Sequence, residues 1–350
     1  MEDKIRASVI IVNYNSWDDI KICLESLHDT VKSNDEVIVV ENCSPSDDFS
    51  KIEKGFPWVR LIRSEENLGY GGGNNLGARE AMGEYLAFLN PDTTVEAGWL
   101  DSLVSALESD DKVGLATSKI LLMSDKNQIN TCGNDMHISG LTLCRGMGKN
   151  KDIYKKSEHV NAISGAAFIV RKDLYLALGG FDESFFMYME DADLSLRTSL
   201  AGWKCVTVPD SIVYHDYVLT FGPKKVFYQE RNRYLLLLKN YRALTLIFLL
   251  PTLLFAEIVT WGFVILQDRK RWKNKIEAYG WIIKNWRSIQ TLRKTVQGLR
   301  RKRDRVLILI ETHRLDLLQV GKNPIVSIAS FLFNIIFFIC KILLVIFLWW

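Results

Sequence analysis

At 350 residues and 40.2 kDa the chain has room for one large domain or two modest ones around a real hydrophobic core. Its formal charge of +3 is unevenly spread, because residues 267–323 hold 16 Lys and Arg against 5 Asp and Glu and the remainder is net acidic. A basic field confined to one late segment between apolar runs excludes a uniformly basic nucleic-acid binder and fits anionic lipid headgroups.

Residues 7–12 form an apolar run rich in β-branched side chains that stops at Asn13-Tyr14-Asn15-Ser16. The run is too short, and too promptly followed by polar residues, to be a signal peptide, so the catalytic portion is expected to stay in the cytoplasm. Residues 17–27 set Ile20, Leu24 and Leu27 at helical spacing behind Asn15 or Ser16 as N-cap. Residues 36–40 predict a second strand, closed by the turn-like Asn42-Cys43-Ser44-Pro45-Ser46. Strand, helix, strand in that order predicts an α/β sheet whose ligands gather at the carboxyl ends of its strands. The pattern continues with a weak strand at 59–63, a helix at 75–82, a buried strand at 85–89, a helix at 99–107 and a strand at 113–118. Residues 124–160 are polar, glycine-dotted and poorly periodic, which reads as a covering segment. A strand at 166–170, a helix near 173–178, the turn Gly179-Gly180-Phe181-Asp182-Glu183, and a helix headed by Glu190-Asp191-Ala192-Asp193 and stopped at Gly202 complete this part.

After Asn240 the character changes. Residues 243–266 contain one charge, Glu257, and one proline, Pro251, while 325–350 contain Lys341 as their sole charge. Each stretch is long enough to cross a hydrocarbon core of roughly 30 Å. A single crossing by the first would put the acidic part and the basic segment on opposite faces, against the positive-inside bias. A Pro251-kinked helix that dips in and returns, or lies in the interface, avoids that conflict, and a buried helix pair in a soluble domain is the other reading. The last stretch, ending in Trp349-Trp350, reads as a true span. The expected division is therefore 1–240 catalytic, 241–266 membrane-dipping or spanning, 267–323 basic and cytoplasmic, and 324–350 transmembrane. Six cysteines lack both disulfide and metal-site spacing and belong to a reduced compartment.

Four groups of residues carry chemistry. Asp92 follows the strand at 85–89, so its carboxylate should project from the sheet's carboxyl edge, where Mg²⁺ or Mn²⁺ would take it together with diphosphate oxygens; Asn90-Pro91-Asp92 is by itself also an ordinary turn. Positions 190 and 193 share a helical face and 191 points elsewhere, so Asp191 can accept a hydroxyl proton while Glu190 or Asp193 organises the helix start. Compensation of the helix dipole accounts for Asp193 alone. Glycines 69, 71, 72 and 73 either let the backbone approach a ligand ahead of a helix N-terminus or make a tight turn. They match neither a phosphate loop ending in Lys-Ser/Thr nor Gly-x-Gly-x-x-Gly after the first strand, which disfavours ATP hydrolysis and nicotinamide chemistry. His215 offers a neutral imidazole to a metal, or is a packed or surface histidine.

Taken in order, residues 10–15, Val39-Val40-Glu41-Asn42-Cys43-Ser44, 67–77, Phe88-Leu89-Asn90-Pro91-Asp92, Ser164-Gly165-Ala166-Ala167, 179–183, 188–194 and Arg197 resemble the family 2 glycosyltransferases, in particular their rhamnosyltransferase-like branch. The resemblance implies a GT-A type fold: a single Rossmann-like α/β domain with a mixed central sheet, followed by membrane-associated helices. It also implies a nucleotide-diphosphate-sugar donor, a divalent metal, and inversion at the anomeric carbon. Asp92 resembles the family's metal-binding aspartate and Asp191 its catalytic base, with His215 a further metal ligand. Glu41 stands where an aspartate near the nucleotide base is usual, and Asn90 takes the first place of the usual Asp-x-Asp. Asn13, Tyr14 and Asn15 would line the nucleoside pocket, with Asn42, Asn67, Gly72, Asn74 and Asn75 also on the donor side. Gly165, Glu190, Asp193, Arg197 and Arg231 would serve the acceptor or organise the site.

The membrane-prone tail implies a polyprenyl-diphosphate-linked glycan acceptor at the cytoplasmic leaflet of the cell membrane, in surface polysaccharide synthesis. Arg231, Arg233 and Arg300-Arg301-Lys302-Arg303 would approach acceptor diphosphate or anionic lipid, and a homo-oligomer is allowed. A non-catalytic sugar-binding or assembly protein of the same fold is the alternative. The Gln/Arg-x-x-Arg-Trp signature of processive synthases does not follow the acidic cluster.

Overall fold

The computed structural model describes residues 4–217, 224–267, 269–315 and 324–350. These fall into two compact units, one of residues 4–134, 144–198 and 203–217, the other of 135–143, 199–202 and the described residues from 224 onward.

The first unit is built on a mixed sheet. In chain order its elements begin β1 (Ala7–Asn13), α1 (Trp17–His28), β2 (Asp35–Glu41), α2 (Asp48–Gly55), β3 (Arg60–Arg63), α3 (Gly69–Glu80), β4 (Tyr85–Leu89), β5 (Thr93–Val95) and α4 (Trp99–Ser109). They continue with β6 (Val113–Leu122), β7 (Ile129–Thr131), the short hairpin strands β8 (Asn134–Met136) and β9 (Thr142–Cys144), most of whose residues group with the second unit, β10 (His159–Val160), β11 (Ala167–Arg171), α5 (Lys172–Ala177), α6 (Glu190–Leu200) and β12 (Lys204–His215). The strand order β10-β12-β6-β11-β4-β1-β2-β3 places β1 between β2 and β4, parallel to both. β11 runs antiparallel to both β4 and β6, which makes the sheet mixed as expected. Every residue of β1 and β4 is buried, the pattern of strands covered on both faces. One face packs Ile20, Leu24 and Leu27 of α1 and Trp99, Leu103 and Leu107 of α4 into the core.

Several elements differ from the sequence reading, and β5, β7, β8, β9, β10 and β12 have no counterpart in it. α3 begins at Gly69 instead of 75 and ends at Glu80, because its glycines are the contact surface and not a loop: a Cβ on Gly73 would lie 2.7 Å from Val12, and one on Gly77 2.6 Å from Ile10. β12 runs through Pro209 to His215 with a register break between Val208 and Ile212, and its far half pairs with β5. α2 was not foreseen, since Asp48 and Ile52 are its only buried residues and leave no apolar period to read.

The second unit is helical: α7 (Lys225–Asn240), α8 (Ala243–Gln267), α9 (Trp272–Lys284), α10 (Trp286–Gly298), α11 (Asp304–Ile310) and α12 (Pro324–Phe347). α7 groups with this unit, whereas the sequence boundary was drawn after it, at residue 240. The end of the expected basic segment, 316–323, lies outside the described residues. Ala243–Leu266 and Ser327–Phe347 are each long and apolar enough to cross a membrane by length and composition. Within this unit the lone acid of α8, Glu257, meets two cations, Arg233 and Lys275, the latter at 3.1 Å. Both cations also meet Glu230, at 2.5 and 3.1 Å.

Candidate active site

The parallel register sets Asn13 at the end of β1 beside Glu41 at the end of β2. Asn13 is fully buried; its amide donates to Asp48 Oδ2 at 3.1 Å and accepts from Ser16 Oγ at 2.8 Å. Glu41 accepts the Ser44 backbone N–H at 2.9 Å, and the Asn15 N–H donates to Ser44 Oγ at 2.8 Å. Asn15 and Cys43 both take left-handed backbone conformations, at φ 53° and 62°, so two sharp turns shape this edge. Between them the Tyr14 ring stands 47% exposed.

The asparagines of the next segment are mostly committed to holding it in place. Asn42 donates to Asn67 Oδ1 and to the Gly69 carbonyl and accepts from the Leu68 N–H, clamping the entry to α3. Asn67 Oδ1 also accepts from the Gly69 N–H, and Asn74 donates to the Tyr70 carbonyl. Asn75 accepts from the Phe181 N–H and the Tyr175 hydroxyl and donates to Glu183, tying α3 to residues 181–183. Gly72 faces Leu68, where a Cβ would sit 2.8 Å away. This segment thus acts first as scaffold.

Asp92 follows β4 and is joined to the end of β12, whose Asp216 N–H donates to the Asp92 carbonyl at 2.9 Å. His215 Nε2 stands 3.3 Å from Asp92 Oδ1. On the other side of the ring Nδ1 lies 3.0 Å from Asn130 Oδ1. An amide oxygen can only accept, so in this contact the ring donates from Nδ1. Asn90 Oδ1 and Asp92 Oδ1 are both buried without a hydrogen-bond partner. A carboxylate oxygen left without a hydrogen-bond donor beside an imidazole nitrogen fits the ligand set of a divalent cation. Among the described residues no group of three His, Cys, Asp or Glu side chains could enclose a metal alone, so oxygen ligands from a bound diphosphate would have to complete the shell. Burial, with help from Asp92 and Asp216, raises the Asp19 pKa, which adds Asp19 to the acids near this point.

Asp191 opens α6. Its Oδ2 accepts the Gly165 N–H at 3.0 Å and the Asn134 amide at 3.4 Å, and its Oδ1 accepts the Ala192 N–H at 2.8 Å. The Gly165 segment is bound to the metal-side strand, since Asn90 N–H donates to the Ala166 carbonyl at 2.9 Å. Asp92 and Asp191 are thereby brought to the same sheet edge through residues 165–166. A Cβ on Gly165 would lie 3.4 Å from Asp191 Cβ and 3.3 Å from the Tyr70 hydroxyl, which itself donates to the Gly165 carbonyl at 2.5 Å.

Burial and the neighbouring Asp191 push the Glu190 carboxyl up to about 8, and its Oε2 has no hydrogen-bond partner. Burial also raises Asp191, while the N–H donors from Gly165 and Ala192 pull it back down. The N–H groups favour the anion on Asp191, and Glu190, with an oxygen that has no hydrogen-bond partner, is the member of the pair that holds a proton more readily. Just ahead, Phe186, Tyr188 and Met189 all have positive φ, from 63° to 69°, a run of strained non-glycine backbone that aims the motif.

Asp193 and Arg197 form a fully enclosed pair at 2.8 Å, and Arg197 also donates to the Leu178 carbonyl at 2.7 Å, which fixes α6 in place. Arg231 lies in the second unit, its guanidinium over Phe227, Tyr228 and Trp281 at 5.4, 5.0 and 4.7 Å. Residues that the sequence reading passed over include Asn130, Asn134, Asp19 and Tyr70. Asn130, Asn134 and Asp19 are single polar side chains outside any motif, and Tyr70 lies within 67–77 among glycines with nothing to mark it as a hydrogen-bonding partner of Gly165.

The sequence model described as "Glycosyl transferase family 2" matches residues 8–176, which contain the Asp92 edge. Residues 8–176 make up a glycosyltransferase family 2 domain. The chain is 29% identical over 236 residues to an N-acetylglucosaminyl-diphospho-decaprenol L-rhamnosyltransferase of Mycobacterium tuberculosis, covering 61% of this chain and 77% of that relative. Its fold matches S. aureus TarS 1-349 in complex with UDP at a TM-score of 0.56 and 17% identity, over 96% of this chain and 90% of the other. GalNAc-T7 with UDP, GalNAc and Mn²⁺ matches at a TM-score of 0.54 and 18% identity, over 66% of this chain and 48% of that one. These likenesses place the family's GT-A-like sheet under the observed edge.

Proposed function

We propose that this enzyme moves a sugar, rhamnose, from a nucleotide-diphosphate donor to a hydroxyl of a lipid-linked glycan, with inversion, on the cytoplasmic face of the cell membrane. The observation that carries the reaction is the shared edge: the Asp191 anion, held by backbone N–H groups, is joined through residues 165–166 to the strand bearing Asp92. The rhamnose and the lipid-linked acceptor rest on the likeness to the decaprenol-linked rhamnosyltransferase.

Asp92 and His215 are the residues that would hold a divalent ion, and a bound ion would neutralise charge on the departing diphosphate. The Tyr14 ring is free to stack on the nucleotide base, with Glu41 and Asn15 beside it. Asp191 takes the proton from the acceptor hydroxyl as that oxygen bonds to the anomeric carbon and the bond to diphosphate breaks on the opposite face. Glu190 keeps its proton, so that no second negative charge competes for it. The two apolar helices and the basic segment of the second unit then serve to hold the enzyme where its acceptor is anchored. Product linkage from purified enzyme with a panel of nucleotide sugars and a polyprenyl-diphosphate-linked acceptor tests the proposal. Inverted rhamnosyl product supports it, and transfer of another sugar or to water alone overturns the donor or acceptor assignment.

A further inference from the structure

Both apolar helices of the second unit are two-sided in a way their composition hides. On α8 the polar residues from Thr245 to Thr260 turn inward: Thr245 Oγ1 donates to Asp304 Oδ2 at 2.6 Å, Lys275 donates to Thr260 Oγ1 at 2.7 Å, and Glu257 meets Arg233 and Lys275. Its outward face is Leu244, Ile247, Leu250, Leu254, Ile258 and Leu266, each at least 47% exposed. On α12 Ser330 donates to the Leu315 carbonyl at 2.9 Å, Asn334 accepts the Leu315 N–H at 2.7 Å, and Lys341 donates to the Leu309 carbonyl at 3.0 Å. Its outward face is again apolar throughout, from Ile328 and Phe331 to Ile346 and Trp349.

The chain that accompanies α12 decides how such a face can meet lipid. Residues 303–315 run antiparallel along it, from Arg303 and Arg305 bonded to the Trp349 and Trp350 carbonyls at one end to Leu315 at Ser330 and Asn334. From residue 330 to its end at Phe347 the helix rises about 26 Å, close to the thickness of a hydrocarbon core. If α12 spanned, it would take with it the exposed Arg303, Arg305 and Arg314 and the non-helical backbone of 311–315. Charged side chains are costly there. α8 is bound in the same way, since Arg233 of α7 and Lys275 of α9 hold its middle to helices whose outer residues include Lys273, Glu277 and Lys284.

We infer that α8 and α12 lie flat in one leaflet, neither crossing it, and that together they form a monotopic docking face for a phospholipid bilayer. The two helices are neighbours, with Phe248 stacked on Phe347 at 6.0 Å and the Trp350 indole donating to Thr245 at 2.9 Å. Exposed Arg301, Lys302, Arg303 and Arg305 sit at one end of this face, where anionic headgroups would meet them. Trp349 lies at the same end, the place an interfacial ring prefers. The inference rests on the membrane reading of the proposed function and replaces the expected C-terminal span.

Two probes separate it from that reading. The full chain, with the accessible Cys43 and Cys144 replaced by serine, receives Ser288→Cys on α10 or a protease-cleavable epitope after Trp350. It is studied in sealed vesicles whose cytoplasmic face is outward. An impermeant maleimide should label residue 288 fully, and protease should remove the epitope fully, without permeabilisation. Protection of either probe in membrane-bound protein would overturn the flat arrangement while leaving membrane attachment intact. Flotation of purified chain with vesicles of phosphatidylglycerol and phosphatidylcholine is also expected. A chain that stays below the vesicles, whether monomeric or as a dimer that covers the apolar face, would overturn both.

Discussion

Glu257 and Glu190 are both removed from water, yet they are treated in opposite ways. Glu257 is surrounded by donors: two cations plus the hydroxyls of Tyr234 and Tyr279, at 2.5 Å each. Glu190 has an acid on either side, Asp191 and Asp193, and an oxygen without a partner. A buried acid among cations is a structural clasp, and a buried acid among acids is a proton store. The same side chain thus marks architecture in one unit and chemistry in the other, and its neighbours tell them apart.

The largest effect should come from the chemical side. Asp191→Asn preserves the size of the group but cannot take a proton, and its NH2 replaces one of the two accepting oxygens, so turnover should fall roughly a hundred- to ten-thousandfold. Donor binding, followed by calorimetry, should hold; unchanged turnover would reject Asp191 as the base. On the donor side, Asp92→Ala should abolish the gain in donor affinity that Mn²⁺ produces in a titration run with and without the ion. An equal gain in both proteins would remove Asp92 from the metal site.

On the architectural side, Glu257→Leu makes α8 more apolar but strands Arg233 and Lys275 on Glu230 alone. Breaking such an enclosed network costs about 3–5 kcal/mol, which chemical denaturation can read. A variant as stable as the parent would show that the clasp contributes nothing.

The proton on Glu190 gives a smaller effect with a definite sign. Its folded pKa, about 8, lies above the ordinary carboxyl value of 4.5, so its contribution to stability is full below pH 4.5 and lost as pH rises through 8. Glu190→Gln should therefore flatten the fall in melting temperature between pH 5 and 8. A fall as steep as the parent's would place that titration elsewhere. The smallest effect is expected at Lys4 and Glu84, whose side chains are 79% and 49% exposed. Lys4→Ala should change stability by about 1 kcal/mol or less, and a larger loss would undo the distinction between enclosed and surface charge.

The strands and amphipathic helices were legible because their apolar periods are local properties of the sequence. The carboxylates were legible as well, since acids clustered at the end of an apolar run have few structural uses. What stayed hidden depends on tertiary packing. Gly69 to Gly77 have poor helix propensity, and only the close approach of β1 makes a helix of them. Pro209 masked the far half of β12, and with it the way His215 is delivered to Asp92. Asn130, which accepts from the His215 ring, sits 85 positions away from it in the chain. The inward polar stripes of α8 and α12 were invisible for a different reason: mean hydropathy averages over a helix and discards direction.

Tyr70 works as a spacer. One end of its ring is rooted in α3, and the other rests through its hydroxyl on Gly165, whose N–H donates to Asp191. The width of a single phenol thus gauges the gap between α3 and the start of α6, which the proposed function assigns to donor and acceptor. A shorter side chain would let the two elements settle toward each other and a bulkier one would prop them apart, so the tolerance of this one position for change in size measures how finely the reacting distance is set.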